Sequence, residues 1–232
     1  MIPGMITLVI PFHSDYYRLK TTLPRIRLEA EKFCIKEVLL IHNGPQLSTR
    51  ALKDIVSQLP DFAQLLHTDT QGIGAAYRLG LEKATQEYTV LSSSDLHFGF
   101  SDINYFLSLD QKPAMALGSK SHPKSVVRRS PLRHLATTAL SFYRRLLFGN
   151  KLPKDTQGSC VIETHLGRSL LSQVQAIGYI FPLELSLRAL ENHVQILEIP
   201  VTLEEEIYPS NVRLFRDGFK MLVDIFRLRF QK

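Results

Sequence analysis

The chain has 232 residues, 44% of them hydrophobic and 22% charged, with a formal net charge of +6 at neutral pH. That length and balance suit one sizeable domain with its own core and exclude a disordered chain, and nothing in the sequence repeats. The positive excess favours anionic partners such as phosphorylated substrates, acidic membrane surfaces or nucleic acid. No apolar run approaches the ~20 residues that span a bilayer, and the first residues lack the basic region of a signal peptide. Cys34 and Cys160 have no metal spacing and read as core fillers of a reduced, cytosolic protein.

The first half alternates between two patterns. Ile6 to Ile10 is a β-branched apolar run, the mark of a strand buried on both faces. A helical pattern follows from Tyr16 to about Lys32, then a strand from Glu37 to Ile41 that ends at the turn residues His42-Asn43-Gly44-Pro45. A helix from Thr49 to about Gln58, a strand from Gln64 to His67, a helix opened by Gly72-Ile73-Gly74 and a strand from Tyr88 to Leu91 complete this half. Alternating strands and helices predict an α/β domain with a mainly parallel central sheet and helices on both faces. Ligands of such sheets bind beyond the carboxyl ends of the strands, which points to the loops at Phe12 to Asp15, His42 to Pro45 and Ser92 to His97.

The second half is less regular. Met115 to Leu117 is a short strand, Ser130-Pro131 caps and opens a helix that reaches Phe148, and Pro182 starts another through Leu190. Val194 to Leu203 reads as an edge strand interrupted by Pro200. From Val212 to Phe230, Phe215, Phe219, Leu222 and Phe226 fall on one helical stripe, beside Arg213, Arg216, Lys220, Arg227 and Arg229. Such a basic amphipathic helix lies in a membrane interface or packs on the domain core. Between Gln111 and Lys154 there are ten Lys and Arg and no Asp or Glu, which favours a phosphate-bearing ligand over a merely solvated face.

Several segments together resemble the family 2 glycosyltransferases of the Rossmann-like GT-A fold, and among them the polyprenyl- and dolichyl-phosphate mannose or glucose synthases. Leu8 to Asp15 stands where that family has a strand followed by Pro-x-Tyr-Asn-Glu, and Val38 to Gly44 where it has a strand ending in Asp-Asp-Gly. Gly72 to Gly80 resembles Gly-Lys-Gly-x-Ala-x-Arg-x-Gly, with Ile73 in place of the Lys and Arg78 kept. Ser93 and Asp95 stand for the Asp-x-Asp motif, which is degenerate here, and His97 falls where some relatives place a further metal ligand. Gly118-Ser119-Lys120, Arg128 to Arg133, Phe142 to Gly149, Asp155-Thr156-Gln157-Gly158, Phe181 to Glu184 and Glu198 to Val201 continue the likeness in order.

The resemblance implies one GT-A domain over residues 1–206 and a C-terminal amphipathic helix over 207–232. It implies an enzyme that moves a hexose from a UDP- or GDP-linked donor to a polyprenyl phosphate with inversion. Pro11, His13, Asp15, Asn43, Arg78, Ser93 and Asp95 would bind the donor. Asp95 and His97 would hold Mn2+ or Mg2+, and Lys120, Arg129, Arg133 and Arg213 the acceptor phosphate. Asp95, Asp155 and Gln157 are the candidate catalytic residues, with Asp155 and Gln157 lining the sugar pocket or bracing those cations. The expected location is cytoplasmic, peripheral on the inner face of the membrane. Alternatives are a transferase to a hydroxyl acceptor of a polysaccharide or glycolipid, with Asp155 or Glu184 as base, and a non-catalytic descendant that binds nucleotide or anionic lipid. Nucleic acid is not an expected partner, because no nucleic-acid module is present.

Overall fold

The computed structural model describes residues 5–45, 47–127, 131–156, 158–203 and 214–230, without the side chains of 131–137, 151 and 214–217. Arg129, Gln157 and Arg213, the boundary at 206/207 and the side chain of Arg133 therefore lie outside the described residues.

The first strand, β1 (Ile6–Phe12), is buried at every position, as a continuous β-branched run predicts. It is followed by a 3-10 turn (Tyr16–Arg18) and α1 (Leu19–Glu29), so the helix begins three residues later than its periodicity suggested. Then come β2 (Ile35–His42), α2 (Thr49–Val56), β3 (Ala63–His67), α3 (Ile73–Lys83) and β4 (Tyr88–Leu91). The second half adds α4 (Ser101–Ser108), β5 (Met115–Ser119), α5 (Pro131–Phe148), β6 (Cys160–Glu163), α6 (Thr164–Leu170), α7 (Phe181–Glu191), β7 (Ile196–Pro200) and α8 (Leu214–Phe230).

The strands form one sheet in the order β3-β2-β1-β4-β6-β5-β7. Strands β1, β2, β3 and β4 pair in parallel, as do β5 and β7, whereas β6 runs antiparallel to both β4 and β5. Pro200 lies on the edge strand β7, where a missing N–H costs no inner ladder bond.

Alternation along the strands sends side chains to two core layers. Ile6, Leu8 and Ile10 meet α1, α2 and α4 through Leu19, Leu23, Ile26, Ile55, Ile103 and Phe106. Val9, Leu39 and Ile41 meet α3, α6 and α7 through Ala76, Leu81, Leu170, Phe181 and Leu185. Helices thus cover both faces, and the loops at the carboxyl ends of the parallel strands are left to build a site. Cys160 fills the second layer, and burial pushes its thiol up to about 12, so it is an inert core residue. In α8, Ile225 and Leu228 pack on Ile180 and Leu183 of the α7 region and on Leu140, Tyr143 and Leu147 of α5.

Candidate functional site

Strands β1 and β4 are neighbours, with Val9 opposite Leu91, so the chain leaving each one runs over the same end of the sheet. The loop after β1 brings Asp15 and, one turn later, Arg18. The loop after β4 brings Ser93, Ser94, Asp95 and His97. These side chains form one network. Ser94 Oγ donates to Asp15 Oδ2 at 2.7 Å, and the His13 N–H donates to Asp15 Oδ1 at 2.9 Å. Arg18 Nη1 donates to Asp95 Oδ2 at 2.7 Å, and its Nε lies 3.5 Å from Asp15 Oδ2. Thr22 and Tyr77 donate to the carbonyls of Ser94 and Ser92, each at 2.7 Å, and so pin the loop from both helical layers.

Ser93 Oγ donates to Asp95 Oδ1 at 2.7 Å and lies 2.6 Å from Nδ1 of His97. A hydroxyl has one hydrogen to give. With that hydrogen on Asp95, the second contact places a hydrogen on His97 Nδ1 and leaves Nε2 as the ring's other face. Leu96, buried between these two residues, adopts a left-handed backbone with φ 45°, a strained conformation of the kind that collects at functional loops. Burial by itself pushes the Asp95 carboxyl up. Hydrogen bonds from His97 and Ser93, and the charges of His97 and Arg18, outweigh it and hold the group far below the usual carboxylate range.

The second strand end supplies a histidine pair. His42 and Asn43 are buried at the end of β2, and His42 Nδ1 faces His67 Nδ1 of β3 at 3.1 Å. His67 Nε2 lies 3.2 Å from Asp69. Burial, then the neighbouring His67 and His13, lower the His42 pKa, so His42 is held neutral. His42 Nε2 and Asn43 Oδ1 are buried polar atoms without a hydrogen-bond partner. A cavity of about 460 Å3 opens beside them, lined by Gly44, Pro45, His67, Asp69 and Gln71.

A third group lies beyond β5. Asp155 is buried and accepts the Lys120 N–H at 3.0 Å, while Lys120 Nζ lies 3.4 Å from the same oxygen. The Asp155 N–H donates to Glu198 at 3.3 Å. Arg144 of α5 is buried, donates to Thr156 Oγ1 at 2.7 Å and also bonds the Lys154 carbonyl. A Cβ on Gly158 would sit 1.8 Å from the Gly118 carbonyl, so Gly158 lies flush against β5 only because it is glycine. These contacts tie Asp155 to Lys120 and to Glu198. The Phe98 ring joins this group to the Asp95 loop: it packs tilted by 60° against His97 with centroids 3.9 Å apart, and its centroid lies 5.5 Å from Lys120 Nζ.

The remaining expected residues are placed as follows. Pro11 is buried within β1, and His13 is exposed at its end. Arg78 gives its guanidinium to the carbonyls of Leu171 and Val174, which ties α3 to the chain after α6. The start of α3 is not an open phosphate cradle, because the N–H groups of Gly74 and Ala75 both donate to the Ile177 carbonyl, at 2.9 and 3.2 Å. Sequence reasoning missed Arg18 and Arg144 as site residues. For Arg144 the carboxylate-free block was a signal; for Arg18 there was none, since only the tertiary fold shows that it is buried against Asp95.

No protein family's sequence profile matches the chain. It is 27% identical over 205 residues to a polyprenol monophosphomannose synthase of Mycolicibacterium smegmatis, covering 85% of this chain and 76% of that one. It is 26% identical over a 249-residue alignment to a dolichyl-phosphate beta-glucosyltransferase of Saccharomyces cerevisiae, covering 97% of this chain and 74% of that one. Among solved structures, glucosyl-3-phosphoglycerate synthase from Mycobacterium tuberculosis, crystallised with Mn2+, UDP and phosphoglyceric acid, superposes with a TM-score of 0.68 at 14% identity, covering 97% of this chain and 78% of that one. A mannosyltransferase from Pyrobaculum calidifontis, crystallised with GDP-Man and Mn2+, gives 0.62 at 15% identity, covering 100% and 66%. The fold is that of the GT-A glycosyltransferases, and the sequence resemblance to polyprenyl-phosphate sugar synthases is borne out.

Proposed function

We propose that this chain is an inverting glycosyltransferase that carries a hexose from a nucleoside diphosphate to a polyprenyl phosphate. The observation that carries the proposal is the likeness, over 85% and 97% of the chain, to two enzymes named for polyprenol and dolichyl phosphate. The site geometry gives that likeness a mechanism.

In this reading the nucleoside lies toward the cavity lined by Gly44, Pro45, His67, Asp69 and Gln71, next to which the buried polar atoms His42 Nε2 and Asn43 Oδ1 lack a partner. The diphosphate lies over the Asp95 loop, and the acceptor phosphate lies toward Lys120, with Arg129, Arg133 and Arg213 as its further expected partners from the sequence. A phosphate monoester is already anionic near neutral pH. Its oxygen attacks the anomeric carbon while the bond to the nucleoside diphosphate breaks, so the protein's work is alignment and charge stabilisation. No general base is needed. Asp155 is tied to Lys120, and Glu184 accepts the N–H groups of Gln175 and Ala176, so neither is poised to deprotonate a hydroxyl acceptor. The family resemblance implies Mn2+ or Mg2+ as a cofactor, with Asp95 and His97 as its ligands. The Arg18 guanidinium on the same carboxylate makes that pair a poor fit for a second cation, and no step here runs through a metal.

The reading includes a membrane surface. No helix among the described residues is long and apolar enough to cross a membrane. Two packed helices instead expose large apolar side chains, Phe142 and Leu146 of α5 and Phe219, Phe226 and Phe230 of α8, beside Lys220, Arg227 and Arg229. That is the composition of an interfacial helix pair facing anionic lipid.

The test is transfer from a panel of UDP- and GDP-sugars to polyprenyl phosphate in detergent. The expected outcome is a lipid-linked sugar of inverted anomeric configuration, with kcat/KM reduced about 100-fold in Asp95→Ala. Transfer only to hydroxyl acceptors, or nucleotide binding with no transfer, would replace the proposal with the corresponding alternative.

A further inference from the structure

The loop cluster after β1 and β4 holds a fixed cation. Arg18 is buried, lies 2.7 Å from Asp95 Oδ2 and 3.5 Å from Asp15 Oδ2, and keeps its charge at every working pH. Buried charges persist when they are paired. Here the pairing consumes the carboxylate that a divalent ion would need.

Charge accounting gives this a meaning. The resembled family carries two carboxylates in its Asp-x-Asp motif, and a divalent ion cancels them. In this chain the first carboxylate is replaced by the Ser93 hydroxyl, which donates to Asp95 Oδ1 at 2.7 Å. One carboxylate remains, and one guanidinium cancels it. Asp15 stands where the family also has a carboxylate, so it drops out of the difference. The exchange of a carboxylate for a hydroxyl, together with a guanidinium beside the survivor, keeps the local charge balanced with no ion present. The ligand set agrees. A divalent ion takes about six ligands, and among the described residues no group of three or more His, Cys, Asp or Glu side chains could hold a metal.

We infer that Arg18 fills the charge position of a divalent ion at this site, so that the chain binds a nucleoside diphosphate without one. Arg18 acts through Asp95. It cancels the negative charge that would repel the incoming diphosphate, and it holds the carboxylate in one orientation while Ser93 and His97 hold its other oxygen. It is a positioning residue. The inference rests on the reading of this cluster as the donor-diphosphate site.

The experiment is calorimetric titration of the purified full chain with UDP and with GDP, in EDTA and in Mn2+. Folding of each variant is checked by circular dichroism. For the wild type, dissociation constants in the two buffers should agree within about threefold for the nucleotide it binds. Arg18→Gln should weaken binding about tenfold in EDTA and recover in Mn2+, while Arg18→Lys stays near the wild type. Ser93→Asp restores the second carboxylate and leaves Arg18 in place. It should likewise bind about tenfold more weakly in EDTA and recover in Mn2+, and it carries the test if Arg18→Gln does not fold. Wild-type binding that is about tenfold weaker in EDTA than in Mn2+ overturns the inference. So does equal binding by the wild type and the folded variants in EDTA. Absence of UDP and GDP binding by the wild type in both buffers removes the donor-site reading itself, and this inference with it.

Discussion

At the scale of single residues, the site is a set of buried and half-buried groups, and the ionisation of His42 and Asp95 is coupled to folding. His42 has its pKa lowered by burial and by its histidine neighbours, so the unfolded chain takes up a proton below the ordinary value of 6.5 that the folded chain refuses. The stability from this group is present above 6.5 and is lost as the pH falls below it. Urea midpoints should therefore drop between about pH 7.5 and about pH 5.5, and His42→Asn should flatten that drop. Asp95 has the opposite chemistry but the same sign. Its folded pKa is depressed, so its contribution is present above 3.8 and disappears as the pH falls toward the folded value. The difference in stability between the wild type and Asp95→Asn should narrow in the same acid range. Asp155 is a different case, because its partner is buried too. Asp155→Ala leaves the Lys120 ammonium without its carboxylate and should cost about 3 kcal/mol in chemical denaturation, the usual penalty for breaking a buried pair.

At the scale of elements, the strands were legible where burial is two-sided. The runs at Ile6, Val38 and Tyr88 are apolar on both faces because α1, α2 and α4 cover one side and α3, α6 and α7 the other. Strand β6 was not legible. Cys160–Glu163 is four residues long, too short for any period to emerge, and its antiparallel direction is set by neighbours distant in the chain. The 3-10 turn at Tyr16–Arg18 was absorbed into the α1 pattern, which hid the residue that turns back onto Asp95. The glycines at the start of α3 were legible as glycines, but what they pack against was not. A Cβ on Gly74 would sit 2.7 Å from Phe181 Cβ and 2.8 Å from the Ile177 carbonyl carbon, so the position serves close packing of α3 on the segment before α7. Gly74→Ala should lower stability by about 1–3 kcal/mol, the cost of overpacking, in equilibrium denaturation.

At the scale of the whole molecule, one end of the sheet collects the Asp95 network and the Lys120–Asp155 pair, while α5 and α8 carry apolar side chains that no described element covers. Vesicle co-sedimentation should show binding that rises with anionic lipid and falls with salt, and the pair Phe226→Asp and Phe230→Asp should weaken it about tenfold. Binding indifferent to both lipid charge and these residues would leave the helix pair as a packing element only. By itself the sequence determined the α/β class, the parallel core and the loops that carry the site. Hydrophobic periodicity is a local property, and the end of a parallel strand is where ligands bind. Only the tertiary structure decided which partners the loop residues have. Asp155 meets Lys120 and Arg18 meets Asp95 because burial brings those charges within hydrogen-bonding distance, and the partners lie 35 and 77 positions apart along the chain.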